Sequence, residues 1–235
     1  MTGARASDIV TLPGAPPVQV MLRRSAQARR LSLRVSRLDG KVTLTVPKAA
    51  SRGPALAFLR SREAWIRDTL AAMPESVAVR PGIALPVEGV PLKLTAAATL
   101  RVHRDGDRLI VPQPRPAGPQ VAAYLRGQAR ARLSEACARH AATLGLGHGR
   151  ITIRDTRSRW GSCSAAGNLN FSWRLIMAPP EILDYVAAHE VAHLARMDHS
   201  PAFWAHVARL RPDHAQQRAW LRREGHLLHR WRFGD

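Results

Sequence analysis

The segment His189-Glu190-Val191-Ala192-His193-Leu194-Ala195-Arg196-Met197-Asp198-His199 constrains this chain more than any other. Side chains four apart on a helix leave it from the same side, so the imidazoles of His189 and His193 can reach one ion. Glu190 follows the first imidazole and sits off the metal axis, where it can take a proton from a metal-activated water. His199, six residues past His193, is the natural third ligand. A catalytic zinc needs three protein ligands and one open position, and this segment supplies all three.

A bare H-E-x-x-H can also be two surface histidines and a solvated glutamate, and the flanks argue against that. Ile182, Leu183, Val186, Ala187, Ala188, Val191, Ala192 and Leu194 make the helix apolar nearly all round, so it is expected to be buried. Buried His and Glu need partners, and a metal supplies them. Ser200-Pro201 then reads as an N-cap followed by proline at the first helical position. That fixes where the chain re-enters a helix and holds His199 in place. One Zn2+ ion is expected, with other divalent metals compatible with the donors.

A chain of 235 residues can bury a proper core, as one large domain or two small ones. No apolar run reaches membrane-span length and no leader pattern precedes a cleavage site, so the expected compartment is the cytoplasm, with no membrane partner. Cys137 and Cys163 offer no Cys-x-x-Cys pair and are expected to be reduced. The formal charge of +19 suits an anionic partner such as nucleic acid or nucleotide phosphate. It is spread evenly, with 19 basic against 8 acidic residues in 1–120 and 17 against 9 in 121–235. An arginine-rich proteome would give the same spread, so the charge is only suggestive.

Residues 1–17, with Pro13, Gly14, Pro16 and Pro17, read as a loose arm. Val18 to Arg24 and Leu31 to Arg37 read as strands, and Asp39-Gly40 as a hairpin turn into Lys41–Val46. Residues from Gly53 to Met73 have helical spacing and stop at Pro74, and 82–112 form short strands broken at Glu88-Gly89 and Asp105-Gly106. Residues 18–112 therefore read as a small, mainly antiparallel α+β unit. The run 113–119 carries three prolines and a glycine, directly after Pro112, and reads as a linker and domain boundary. Residues 120–235 then give a long helix to Leu146, a strand Arg150–Arg154, a strand Asn168–Leu175, the metal helix and two shorter helices. The fold class is α+β, with a zincin-like catalytic domain following the amino-terminal unit. No internal repeat is visible.

Several further motifs resemble one family. They are Arg29-Arg30-Leu31-Ser32-Leu33-Arg34-Val35-Ser36, Ser158-Arg159-Trp160-Gly161-Ser162-Cys163-Ser164, Trp173-Arg174-Leu175 with Ala178-Pro179, and Leu183-Asp184-Tyr185-Val186. To these add His199-Ser200-x-x-Phe203-Trp204, Pro212-Asp213 and Trp220-Leu221. Together with the histidine segment they look like the YgjP-like metal-dependent hydrolases, relatives of the SprT-like and WLM zincin peptidases, over nearly the whole chain. The resemblance implies that His189, His193 and His199 are ligands and that Glu190 is the acid/base. Ser172 and His214 depart from the family pattern and bear on substrate contacts. Within that family a nucleotide pyrophosphatase activity on UTP has also been assigned.

Arg196 stands where metzincins have glycine, and no methionine follows His199 for a Met-turn, so that assignment is rejected. Glu224 lies too far along a separate helical stretch to be a favoured ligand. Asp184, Asp198 and Asp213 are candidates to orient ligand imidazoles, or simply helix caps and surface pairs. Arg157 and Arg159 are candidates to stabilise an oxyanion, and Trp173 to touch substrate, although Trp160 and Trp173 fit core positions better. The strand Leu169–Trp173 offers an edge to an extended peptide. Three functions follow: a zinc peptidase attacking an acyl bond, a metal-dependent nucleoside triphosphate (UTP) pyrophosphatase, and a SprT-like nucleic-acid-associated protease. The expected partners are a peptide or protein substrate, a nucleotide, and nucleic acid through the basic surface.

Overall fold

A computed structural model describes residues 8–36 and 39–234. The chain divides into two compact units, residues 1–75 and 76–235. In the first, β1 (Asp8–Leu12), β2 (Val18–Ser25), β3 (Ser32–Val35) and β4 (Val42–Pro47) form one sheet, followed by α1 (Arg52–Ser61) and α2 (Glu63–Ala71). Alternation in β4 buries Val42, Leu44 and Val46 and leaves Thr43 and Thr45 on the other face, as a period of two requires. The buried set meets Ala55, Leu59 and Ile66 of the two helices in a core of its own.

The second unit begins with β5 (Val77–Ala78), β6 (Ala84–Val87), β7 (Val90–Ala97), β8 (His103–Asp105) and β9 (Arg108–Pro112). The long helix α3 (Ala117–Leu144) follows and closes on Gly145, whose φ of 70° is the left-handed C-cap that glycine favours. Then come β10 (Ile151–Arg154), β11 (Gly161–Cys163), β12 (Leu169–Ser172), a 3₁₀ turn at Trp173–Met177 and α4 (Pro180–Ala195). The chain finishes with α5 (Pro201–Leu210), α6 (His214–Glu224), a second 3₁₀ turn at Gly225–His229 and β13 (Trp231–Arg232), which pairs with β5. One continuous core joins Leu85, Leu92, Leu94 and Leu109 of the β6–β9 sheet to Leu125 and Leu133 of α3, to Phe171, and to Val186 and Val191 of α4. Full burial of such side chains is worth roughly 1.5–3 kcal/mol each, and it is what holds the polar face of α4 in one place.

The architecture is α+β, with a helix carrying the histidine motif packed under a short sheet, as expected of a zincin-like domain. Several expectations are corrected. The domain division falls at residues 75/76, because the β6–β9 sheet shares its core with α3 and α4. The Pro-rich run 113–119 is a turn inside the second unit; its last residues start α3, three earlier than expected, and the Gln120 amide bonds the carbonyls of Pro112, Arg115 and Pro116. The expected arm 1–17 contains β1 paired with β2, while residues 1–7 lie outside the described residues. The helical stretch after Gly53 is two helices broken at Arg62, whose φ and ψ of −108° and 7° are not helical. The amino-terminal sheets are mainly antiparallel as expected, with one parallel pairing in each, β2 with β4 and β7 with β9. A repeat invisible in the sequence is also present: β1-β2-β4-β3 and β6-β7-β9-β8 have the same strand order and pairing directions. No described helix is long and apolar enough to cross a membrane.

Candidate active site

Pro179 in an extended conformation and Pro180 at the first helical position start α4 cleanly, with Glu181 in its first turn. The helix stops at Arg196, which is extended, and the turn that follows is held by side chains. The Asp198 carboxylate accepts from the Ser200 N–H at 3.1 Å, and the Ser200 hydroxyl caps α5 by accepting from the Phe203 N–H at 3.5 Å. His199 is thereby carried back over α4.

The three imidazoles converge as the spacing demands. Their ligand nitrogens lie within 4.8 Å of one another. The Nε2 atoms of His189 and His199 face each other at 3.3 Å. Two nitrogens bound to one tetrahedral ion at about 2.0–2.1 Å would stand roughly 3.3–3.4 Å apart. Burial, and then the neighbouring His193 and His199, push the His189 pKa down to about 3, and burial also lowers that of His193. Both rings are therefore neutral at pH 7, the state in which an imidazole nitrogen can bind a cation. His193 Nδ1–H donates to the Arg196 carbonyl at 3.0 Å, which fixes its tautomer and leaves Nε2 free to ligate. His189 Nδ1 is buried with no partner. Phe203 stacks on His193 at 4.4 Å, and Trp204 stands 5.8 Å from His189, so aromatic walls hold the rings. The donor set fits a divalent ion held by His189, His193 and His199.

Glu190, 5 % exposed, lies against β11. A Cβ on Gly161 would stand 2.6 Å from Glu190 Cγ, so only glycine leaves room for the carboxyl there. Burial raises the Glu190 pKa to about 8, against the charge of Arg159 and a hydrogen bond from the Cys163 backbone N–H. A cation at the triad would favour its ionised form, the state a general base needs.

The remaining candidates separate. Arg159 is exposed, and its charge reaches Glu190. Arg157 acts instead on His229, away from the triad. Trp173 is corrected: it is 1 % exposed in the core, edge-on to Phe233 and flanked by Arg126 and Arg174, so it can touch no substrate. The edge offered by Leu169–Trp173 is corrected too, because β12 is the central strand between β10 and β11. The strand over α4 with an unpaired edge is β11. None of Asp184, Asp198 and Asp213 bonds a ligand imidazole; the orienting acceptor is the Arg196 carbonyl, which no side-chain motif reveals. Glu224 pairs with Arg223. Tyr185 and Phe203, whose rings both stand beside His189, entered the sequence reading only as members of the family motifs, with no role of their own.

A cleft lined by Glu88, Arg132, Arg139, His140, Asp184 and Arg211 opens beside α4, but it excludes the triad and its charges are matched among themselves.

No curated protein sequence matches the chain. Among solved structures, the crystal structure of the metallopeptidase zymogen of Pyrococcus abyssi abylysin is similar at 21% identity, over 40% of this chain and 94% of that one, with a TM-score of 0.36. The family model described as YgjP-like, metallopeptidase domain, matches residues 29–224, a span that takes in β3 to α6 and all three imidazoles. The chain belongs to the YgjP-like metallopeptidase-domain family.

Proposed function

We propose that this protein is a zinc-dependent peptidase in which Glu190 moves the proton. The observation that carries the reading is the convergence of three imidazoles beside a buried carboxyl, with one tautomer fixed by a backbone carbonyl. A divalent ion bound there supplies Lewis acidity, acidifying water and polarising a carbonyl. His189, His193 and His199 hold it; Phe203 and the Ser200 cap keep their rings in register. Glu190 accepts the proton of the attacking water and delivers it to the leaving amine. The Cys163 N–H and the Arg159 charge favour the ionised carboxylate, against the effect of its burial. The unpaired edge of β11 suits an extended peptide bound by strand addition above the helix. Cys137 and Cys163 are both free thiols, which suits a reducing cytoplasm.

The test pairs a casein-like protein with nucleoside triphosphates, wild type beside Glu190→Ala, each with measured zinc content and with and without DNA. Protein cleavage without DNA, abolished by chelator and by Glu190→Ala, is the expected result. Pyrophosphate release instead would assign the site to phosphoanhydrides, and cleavage only with DNA would make it a nucleic-acid-associated protease.

A further inference from the structure

Tyr185 lies one helical turn before His189 on α4, its ring 6.0 Å from that imidazole and edge-on to it. The residue is 5 % exposed, and its hydroxyl hydrogen-bonds to none of the described residues. The body of the ring is buried while the hydroxyl reaches the surface, where a ligand can meet it.

Across from it runs α6, on which His214, Arg218 and Arg222 are spaced by four and so share one side. The Arg218 guanidinium lies 4.7 Å over the Trp204 ring, which also neighbours His214 at 5.6 Å, His189 at 5.8 Å and His199 at 6.1 Å. The charge of Arg218 acts on both His189 and Tyr185, and that of Arg222 on Tyr185. Neither arginine forms an ion pair with any described residue. Asp184 and Asp213 are both taken by Arg211. One side of the triad thus gathers two guanidinium groups without an ion pair among the described residues and a hydroxyl without a hydrogen bond to any of them. Such a set of donors fits a planar, negatively charged partner, with Trp204 as its wall.

We propose that Tyr185, Arg218 and Arg222 form a carboxylate-binding subsite beside the metal triad, which takes a chain-terminal carboxylate or an acidic side chain next to the scissile bond. The assignment rests on the peptidase reading of the site, and it makes the enzyme selective for peptides carrying negative charge at that point.

The experiment uses the full chain, zinc-loaded and carrying Glu190→Gln, so that binding is measured without turnover. Four otherwise identical peptides carry Glu or Gln beside the scissile bond, and a free or amidated carboxyl end. The carboxylate-bearing members are expected to bind about tenfold tighter than the neutral one, as charge-assisted hydrogen bonds allow. Comparing the two singly charged peptides shows which carboxylate is taken. The preference is expected to collapse when Arg218→Gln and Arg222→Gln are added, to survive in part with Arg218→Lys, and to weaken with Tyr185→Phe. Circular dichroism and zinc content establish that the variants are folded and loaded. Equal binding of all four peptides, or a preference that outlasts the double substitution, overturns the subsite. So does a nucleoside triphosphate that displaces every peptide, which would make it a phosphate site. Wild-type cleavage without charge preference would remove the subsite and keep the peptidase; charge-selective binding with no cleavage would do the reverse.

Discussion

The helix α4 carries polar groups on two sides, and the two are built differently. On one side Asp184 is saturated: it accepts from Arg139, from His140 Nε2 at 3.0 Å and from Arg211 Nη1 at 2.7 Å. On the other, five residues along, His189 has a buried Nδ1 with no partner and an Nε2 facing another ring nitrogen, while Glu190 sits largely desolvated. Buried polar groups are normally paired, because an unpaired one costs about 1–3 kcal/mol. The saturated cluster ties α3, α4 and the end of α5 together. The unsatisfied one is complete only when an ion and a substrate arrive. Charge alone does not tell them apart; satisfaction does.

The contrast breaks most readily at Glu190. Replacing it by alanine is expected to lower hydrolysis roughly thousandfold, within the range of general acid–base contributions, with zinc content unchanged. Steady-state rates beside metal analysis check this; full activity with zinc bound would end the acid/base role.

On the opposite side, Asp184→Ala leaves His140, 6% exposed at its side chain, without its acceptor and takes from Arg211, 20% exposed, one of its two carboxylates. Removing one partner of a buried pair costs about 3–5 kcal/mol, so urea unfolding is expected to shift by that amount while zinc stoichiometry stays at one. A loss of zinc rather than of stability would merge the two clusters into one.

Between these lies Gly161→Ala. The new methyl must displace the Glu190 carboxyl, and a misplacement of that size costs on the order of a hundredfold in rate. Turnover is expected to fall with zinc retained; an unchanged rate would show that Glu190 tolerates displacement.

The smallest effect is a pH dependence. Burial opposes ionisation of Asp184, but its bonds from His140 and Arg211 outweigh it and hold the pKa at about 2, below the ordinary 3.8. The group binds fewer protons folded than unfolded between those values, so its stabilisation is complete above about pH 4 and is lost as pH falls toward 2. The amount is roughly 2 kcal/mol, read as the gap between wild type and Asp184→Asn in urea at pH 5 that closes by pH 2. A gap that does not change with pH would contradict it.

The site was legible because helical spacing maps directly onto a face: residues 189, 190 and 193, the Ser200-Pro201 start and the apolar flanks fix α4 and its turn from local chemistry alone. What sequence could not show depends on distant contacts. The Arg196 carbonyl is a backbone group with no signature, and Gly161 matters only because a strand crosses Glu190. Trp173 is an aromatic beside a motif, and only packing against Phe233 places it in the core. The boundary was misplaced for a related reason. Prolines mark turns wherever they occur, whereas a domain is defined by which apolar faces meet, and those of β6–β9 meet α3. Strand order suffers likewise: β12 reads as an edge until β10 and β11 are seen on both its sides.

X-ray absorption at the zinc edge of the reconstituted protein tests the central claim most directly. One zinc per chain with three imidazole nitrogens at about 2.0–2.1 Å and one further light atom is the predicted shell, losing one imidazole in His193→Ala. A protein that takes up no zinc, or a shell without those imidazoles, would contradict it.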